Sequence, residues 1–173
     1  MDVDRILQRA FERELRVYLP RVLDRDSNMH FLRVHAHDTY DVVPPFGIRE
    51  PTMVDVLTGK PREDVLDADG SLDIIFMPGL GFGDGGERLG RGGGYYDAFI
   101  DRFVNGGTGE YAKRDAQDEG RTTARHPRPK PLLVGMAFDA QVVAGHDLPM
   151  DEHDHYLDLV VSSSRVIAKR STF

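Results

Sequence analysis

The sequence contains no cysteine, which excludes disulfides, thiolate catalysis and Cys-ligated zinc or iron–sulfur centres. It is also short of positive charge: 22 lysines and arginines face 29 aspartates and glutamates, a formal net charge of −7 at pH 7. That balance argues against a general nucleic-acid binder or a membrane-surface protein, so any anionic ligand must meet a local positive site. No stretch approaches the roughly 20 apolar residues that a membrane-spanning helix needs. The opening MDVDRILQRAFERELRVYLP carries early acidic residues and lacks the apolar core of a secretory signal. A soluble, cytoplasmic protein is expected, with no nucleic-acid or membrane partner. There is no internal repeat.

What is present suits one globular domain over residues 1–173, with 40% apolar and 29% charged residues. Asp4 to Glu14 reads as a helix with Ile6, Leu7, Ala10 and Phe11 on one face, and Leu15 to Leu19 as a strand ending at Pro20. Met29 to Val34 is a second strand. From His35 to Asp69 the chain is rich in Pro, Asp and Gly, and an irregular segment able to wrap a site is expected. Leu72 to Met77, Pro131 to Phe138 and Leu157 to Val161 are compact apolar runs, as in strands covered on both faces of a parallel sheet. Tyr95 to Val104 has the spacing of a helix packed on that sheet. Residues 105–130 lack apolar periodicity and read as an exposed insertion. Its basic end, Arg121, Arg125, Arg128 and Lys130, is a solvated loop or a polyanion contact.

The chemistry concentrates in MPGLGFGDGGERLGRGGGYYD, Met77 to Asp97, which leads from a strand through nine glycines into a helix. Residues without a Cβ let backbone N–H groups approach an oxyanion, and a helix N-terminus adds about half a positive charge. Arg88 and Arg91 can give charge-assisted contacts to phosphate, and Asp97 can hold magnesium against it. The loop lacks the GKS or GKT ending of a P-loop and the spacing of a dinucleotide fingerprint. Taken alone, it would also serve a sugar-phosphate isomerase or transferase.

MPGLGFGDGGERLGRGGGYYD is, however, very similar to the signature of the 5-formyltetrahydrofolate cyclo-ligase family, including RLGRG and the Gly-Tyr-Tyr-Asp end. Further matches follow in the family's order at Gly47 to Pro51 (GIREP), Val134 to Gln141 (VGMAFDAQ) and Leu148 to Asp158 (LPMDEHDHYLD). The resemblance implies a three-layer αβα fold with a mostly parallel, Rossmann-like sheet and its site at the carboxyl ends of the strands. It implies ATP as co-substrate, Mg2+, and cyclisation of 5-formyltetrahydrofolate to 5,10-methenyltetrahydrofolate in a monomer. A catalytically impaired folate- or nucleotide-binding paralogue is the alternative.

Carried over by position, the resemblance makes Arg88, Leu89, Gly90, Arg91, Gly92, Gly93, Gly94, Tyr95 and Tyr96 the ATP loop, with Arg91 as catalytic residue. Phe46, Glu50, Arg91 and Tyr95 become folate contacts, and Asp97 and Asp154 the magnesium carboxylates. His153 and His155 could suggest zinc, but hard magnesium prefers oxygen, and both are expected at the surface. The sequence departs from the family at its start. Members usually begin with a basic helical region and a strand ending near a folate-binding glutamate, and Val22 stands where an aromatic is usual. An N-terminally incomplete working enzyme is therefore expected, with a second chain supplying the part or a degenerate paralogue as the other accounts. A mitochondrial location stays open on the same ground.

Overall fold

The computed structural model describes residues 2–24, 28–45, 47–68, 71–106, 128–143 and 148–169. Most of the insertion expected at 105–130 lies outside them. The chain forms two compact units, Met1–Gly70 and Ser71–Phe173.

In the first unit, helix α1 (Val3–Glu12) opens on Asp2, whose carboxylate accepts the Arg5 N–H at 3.2 Å. It ends earlier than its apolar spacing predicts. Glu14 takes a left-handed φ of 55°, Glu14 N–H donates to the Phe11 carbonyl at 2.9 Å, and Leu15 N–H to that of Ala10 at 3.0 Å. These two bonds close the last turn as a Schellman motif, with Glu14 where glycine is usual. Strand β1 (Val17–Val22) pairs antiparallel with β2 (Met29–Val34), which buries Met29, Phe31, Leu32 and Val34. β1 does not stop before Pro20 but runs through it, opposite Phe31. Among the described residues it has one strand partner, and a proline on an edge costs no ladder bond.

Part of the 35–69 stretch, expected to be irregular, is an antiparallel hairpin of β3 (Tyr40–Val43) and β4 (Ile48–Pro51). Its turn contains Pro44, Pro45 and Gly47, the last at φ 64°. Beside it, Asp38 and Arg62 form a fully buried bidentate pair at 2.8 and 2.9 Å. Burial pushes the Asp38 carboxyl up, but the Arg62 guanidinium and the His35 N–H outweigh this and leave it below its ordinary value.

The second unit is built on a sheet of β5 (Ile74–Met77), β8 (Leu132–Met136), β10 (Leu159–Val161) and β11 (Val166–Ala168), in the order β11-β10-β8-β5. β5, β8 and β10 are parallel, and β11 returns antiparallel. A smaller sheet joins β6 (Gly81–Gly83) to β7 (Arg88–Leu89) antiparallel and to β9 (Val142–Val143) parallel. Helix α2 (Tyr95–Val104) contributes Phe99, Ile100 and Phe103 to the core. The architecture is mixed α/β with parallel strands. One face of the main sheet carries the buried Ile75, Met77, Leu133 and Val160. On the other, Ile74, Phe76 and Leu132 are exposed, so β5 and the start of β8 are not covered on both faces as their apolar runs suggest.

Gly135, mid-strand in β8, fixes where the smaller sheet lies: a Cβ there would stand 2.6 Å from a Leu157 methyl and 2.8 Å from the Phe82 ring. The missing side chain is the space that Phe82, fully buried in β6, occupies. At the carboxyl end of the strands Gln141 donates to the Gly79 carbonyl at 2.9 Å, tying the segment after β8 to the one after β5.

Candidate functional site

The glycine-rich stretch is a short hairpin rather than an open loop. Leu80 N–H donates to the Leu89 carbonyl at 2.7 Å, and Gly83 N–H to that of Glu87 at 2.9 Å. Buried Glu87 accepts the Gly85 N–H at 3.0 Å and fills the place of a side chain at Gly83, where a Cβ would fall 2.2 Å from its carboxylate. Gly86, at φ 93°, lies against the Leu157 backbone, and Leu157 N–H donates to the Gly86 carbonyl at 2.8 Å. The hairpin thereby holds the 151–157 segment.

After β7 the chain crosses exposed Arg91, Gly92, Gly93 and Gly94, with Gly92 and Gly94 at φ 81° and 62°. Gly94 is the N-cap of α2, and no side chain caps the helix there. This is the arrangement in which a helix N-terminus meets an anion. The Tyr95 ring packs on Gly93, where a Cβ would come within 2.6 Å of it. Tyr96 is half-buried; desolvation pushes its phenol up to about 12, against the opposing pull of the Arg88 guanidinium, 5.9 Å from the ring centre.

Asp97, in the first turn of α2, is 5% exposed, and both of its oxygens are engaged. One accepts from an Arg88 terminal nitrogen at 2.6 Å, and the other from the backbone N–H of His155 at 3.0 Å. The His155 ring reaches Asp101, one turn further along α2, at 3.1 Å. His155 is half-buried and its side chain 24% exposed, yet its backbone and ring pin the 151–157 segment along α2. His153 is exposed beside Glu152. Asp154 follows the same pinning; its carboxylate accepts the Asp151 N–H at 2.9 Å in a turn that ends one residue before the bond to Asp97.

Asp97 and Asp154, 57 positions apart, are thus brought onto adjacent backbone. Among the described residues no group of three or more His or carboxylate side chains gathers as a metal cage. The hard oxygen donors of Asp97 and Asp154, near a helix N-terminus without a side-chain cap, are of the kind magnesium takes, since it needs one or two carboxylates and completes its shell with phosphate and water. Arg88 supplies a second sign of a ligand site, for its Nε is buried with no hydrogen-bond partner among the described residues.

The other expected contacts fall elsewhere. Phe46 lies outside the described residues, as do Arg121 and Arg125. Glu50 is buried in β4 of the first unit and accepts the Val22 N–H at 3.4 Å. Arg128 is not a solvated loop residue: its N–H donates to the Val104 carbonyl at 3.0 Å, and its guanidinium lies 5.0 Å above the Phe103 ring. A cavity of about 490 Å³ opens in the first unit between α1 and Tyr40, lined by Asp4, Leu7, Phe11 and Glu12, without the cations a phosphate requires. The Arg88–Asp97 pair and the His155–Asp101 contact had no local signal; opposite charges at positions 88 and 97 acquire meaning only once a hairpin feeds a helix.

These features define an α/β protein in which a strand and a glycine hairpin lead into a helix whose N-terminus has no side-chain cap, with the Asp97 carboxylate in its first turn held by Arg88 and by the backbone next to Asp154. The chain belongs to the 5-formyltetrahydrofolate cyclo-ligase family, whose model matches residues 1–163. It is similar to the mitochondrial 5-formyltetrahydrofolate cyclo-ligase of Arabidopsis thaliana, 36% identical over 88% of this chain and 48% of that protein. It is also similar to the Mus musculus 5-formyltetrahydrofolate cyclo-ligase, 30% identical over 93% of this chain and 66% of the relative. The solved 5,10-methenyltetrahydrofolate synthetase of Aquifex aeolicus superposes with a TM-score of 0.59 at 28% identity, covering 98% of this chain and 66% of that one. The chain thus spans about half to about two thirds of the length of these relatives. Among the described residues, no helix is long and apolar enough to cross a membrane.

Proposed function

We propose that this chain carries the ATP-dependent cyclisation of 5-formyltetrahydrofolate to 5,10-methenyltetrahydrofolate, releasing ADP and phosphate, as a monomer in the cytoplasm. The supporting observation is the cradle: Arg88 and Arg91 on a glycine hairpin, an α2 N-terminus without a side-chain cap, and Asp97 with the Asp154 turn pinned beside it. In this reading 1–173 acts as one cyclo-ligase domain of the three-layer αβα type.

The formyl oxygen is a poor leaving group, so it first takes the γ-phosphoryl group of ATP as ADP departs. N10 then bonds to the activated carbon, its proton leaves, and the carbon–oxygen bond breaks to release phosphate. Arg91, exposed ahead of α2, neutralises the transferring phosphoryl group. Residues 88–96 hold the triphosphate, with Tyr95 beside the reacting centre. Phe46 and Glu50 contact the pterin, Glu50 through its ring nitrogens. Asp97 and Asp154 hold Mg2+, which supplies charge neutralisation at the phosphates.

The test is incubation with 5-formyltetrahydrofolate, ATP and Mg2+, followed by the near-ultraviolet absorbance of the methenyl product. Arg91→Ala should abolish turnover while the circular dichroism spectrum is kept. Undiminished turnover in that variant would sink the assignment of Arg91. Ligand binding without product by the unsubstituted chain would replace the reading with a folate- or nucleotide-binding protein.

A further inference from the structure

Arg88 and Asp97 have competing duties in a site that binds both ATP and a metal. Arg88 is to meet phosphate and Asp97 is to hold a divalent cation, yet in the structure they hold each other at 2.6 Å, with side chains 9% and 6% exposed. A cation bound to that Asp97 oxygen would lie about 2 Å from it. The guanidinium nitrogen at 2.6 Å from the same oxygen would then be less than about 5 Å from a divalent charge in a buried site, where like charges repel strongly. A metal on that oxygen therefore competes directly with the guanidinium for it.

The surroundings give Arg88 somewhere to go. Its Nε has no hydrogen-bond partner among the described residues, a Cβ at Gly90 would be 3.1 Å from one of its terminal nitrogens, and its guanidinium rests near the Tyr96 ring. The absent Gly90 side chain leaves room at one terminal nitrogen, and the unpartnered Nε can take a further acceptor. Asp97 meanwhile keeps the His155 N–H on its other oxygen and is not left unsupported.

Resting on the proposed ATP and metal site, we infer that Arg88 and Asp97 form a reciprocal latch: in the empty site each occupies the other's binding group. Divalent cation and polyphosphate then bind with positive coupling, each freeing the residue its companion needs. Linkage makes that coupling symmetric. Either half of the pair, removed alone, should therefore improve binding of the ligand that belongs to the half left behind.

The probes are Mn2+ without nucleotide, followed by electron paramagnetic resonance, and inorganic tripolyphosphate in EDTA, followed by calorimetry. Both are applied to the whole chain and to Arg88→Gln and Asp97→Asn. Arg88→Gln should tighten Mn2+ by about fivefold or more, and Asp97→Asn should tighten metal-free tripolyphosphate by a similar factor. In the unsubstituted chain the two ligands together should each bind more tightly than alone. Mn2+ affinity unchanged or weakened in a folded Arg88→Gln, with tripolyphosphate unchanged or weakened in Asp97→Asn, overturns the latch while leaving the metal site standing. Full Mn2+ affinity in Asp97→Asn removes Asp97 as a metal ligand, and the latch falls with it. If Arg88→Gln does not fold, Arg88→Lys, which keeps the charge but loses the planar fork, should tighten Mn2+ to a lesser degree, and no tightening there counts against the latch.

Discussion

Gly86 and Gly92 both have a positive φ, at 93° and 81°, and differ in what surrounds them. A Cβ at Gly86 would lie 2.4 Å from the Leu157 carbonyl oxygen, whereas at Gly92 nothing lies within 4 Å. Replacing Gly92 by Ala therefore costs the conformational strain alone, about 1–2 kcal/mol. Gly86→Ala adds a clash with backbone that cannot rotate away, about 1–3 kcal/mol. Pushing Leu157 back also lengthens its 2.8 Å bond to the Gly86 carbonyl, for about 1 kcal/mol more. The expected loss is about 3–6 kcal/mol for Gly86→Ala, roughly three times that of Gly92→Ala. Urea unfolding followed by circular dichroism measures both. Because Leu157 closes the segment that carries Asp154 and His155, Gly86→Ala should also weaken Mn2+ binding under conditions where it is still folded. Equal stabilities for the two variants would refute the idea that position 86 is a contact between backbones.

Three other outcomes are expected. Asp38→Ala leaves Arg62 charged and buried without its carboxylate and should cost about 3–5 kcal/mol in urea unfolding. Asp38 is lowered in the folded chain, so the stability it contributes is complete above the ordinary carboxylate value and fades as pH falls through the lowered one; an acid titration of the unsubstituted chain against Asp38→Ala should show that difference. Tyr96, held protonated up to about 12, contributes stability that is complete below pH 10 and lost between 10 and 12, roughly 2–3 kcal/mol. Melting temperatures of Tyr96→Phe should fall less steeply across that window. His155→Ala loses the bond to Asp101 and should weaken Mn2+ binding several-fold while Asp101→Asn, which keeps an acceptor oxygen, does not.

Much of the second unit was legible because its signals are local. Tyr95 to Val104 has helical spacing and is α2 within its expected bounds, and β8 and β10 lie within two continuous apolar runs. The hairpin of β3 and β4 was not legible, for Pro44, Pro45 and Gly47 read as breakers and its strand residues are half exposed. Strands β6 and β7 were hidden because glycine carries no side-chain periodicity, and their pairing is a backbone affair. The residue types of the candidate site could be read from the motif, but their mutual neutralisation could not. That Arg88 turns to Asp97 rather than to solvent follows from burial of both, and burial is decided by the fold.

Gly135 gives the site an unusual kind of support. A protein usually fixes a binding loop by adding contacts; here the hairpin is seated by a gap in the sheet beneath it, into which Phe82 fits. The depth of that gap sets the height of the β6–β7 hairpin above the strands. Ala at 135 would act like a shim, lifting Phe82 and with it Arg88, two strands from the altered residue. Affinity for polyphosphate could thus change through a methyl group that no ligand ever touches.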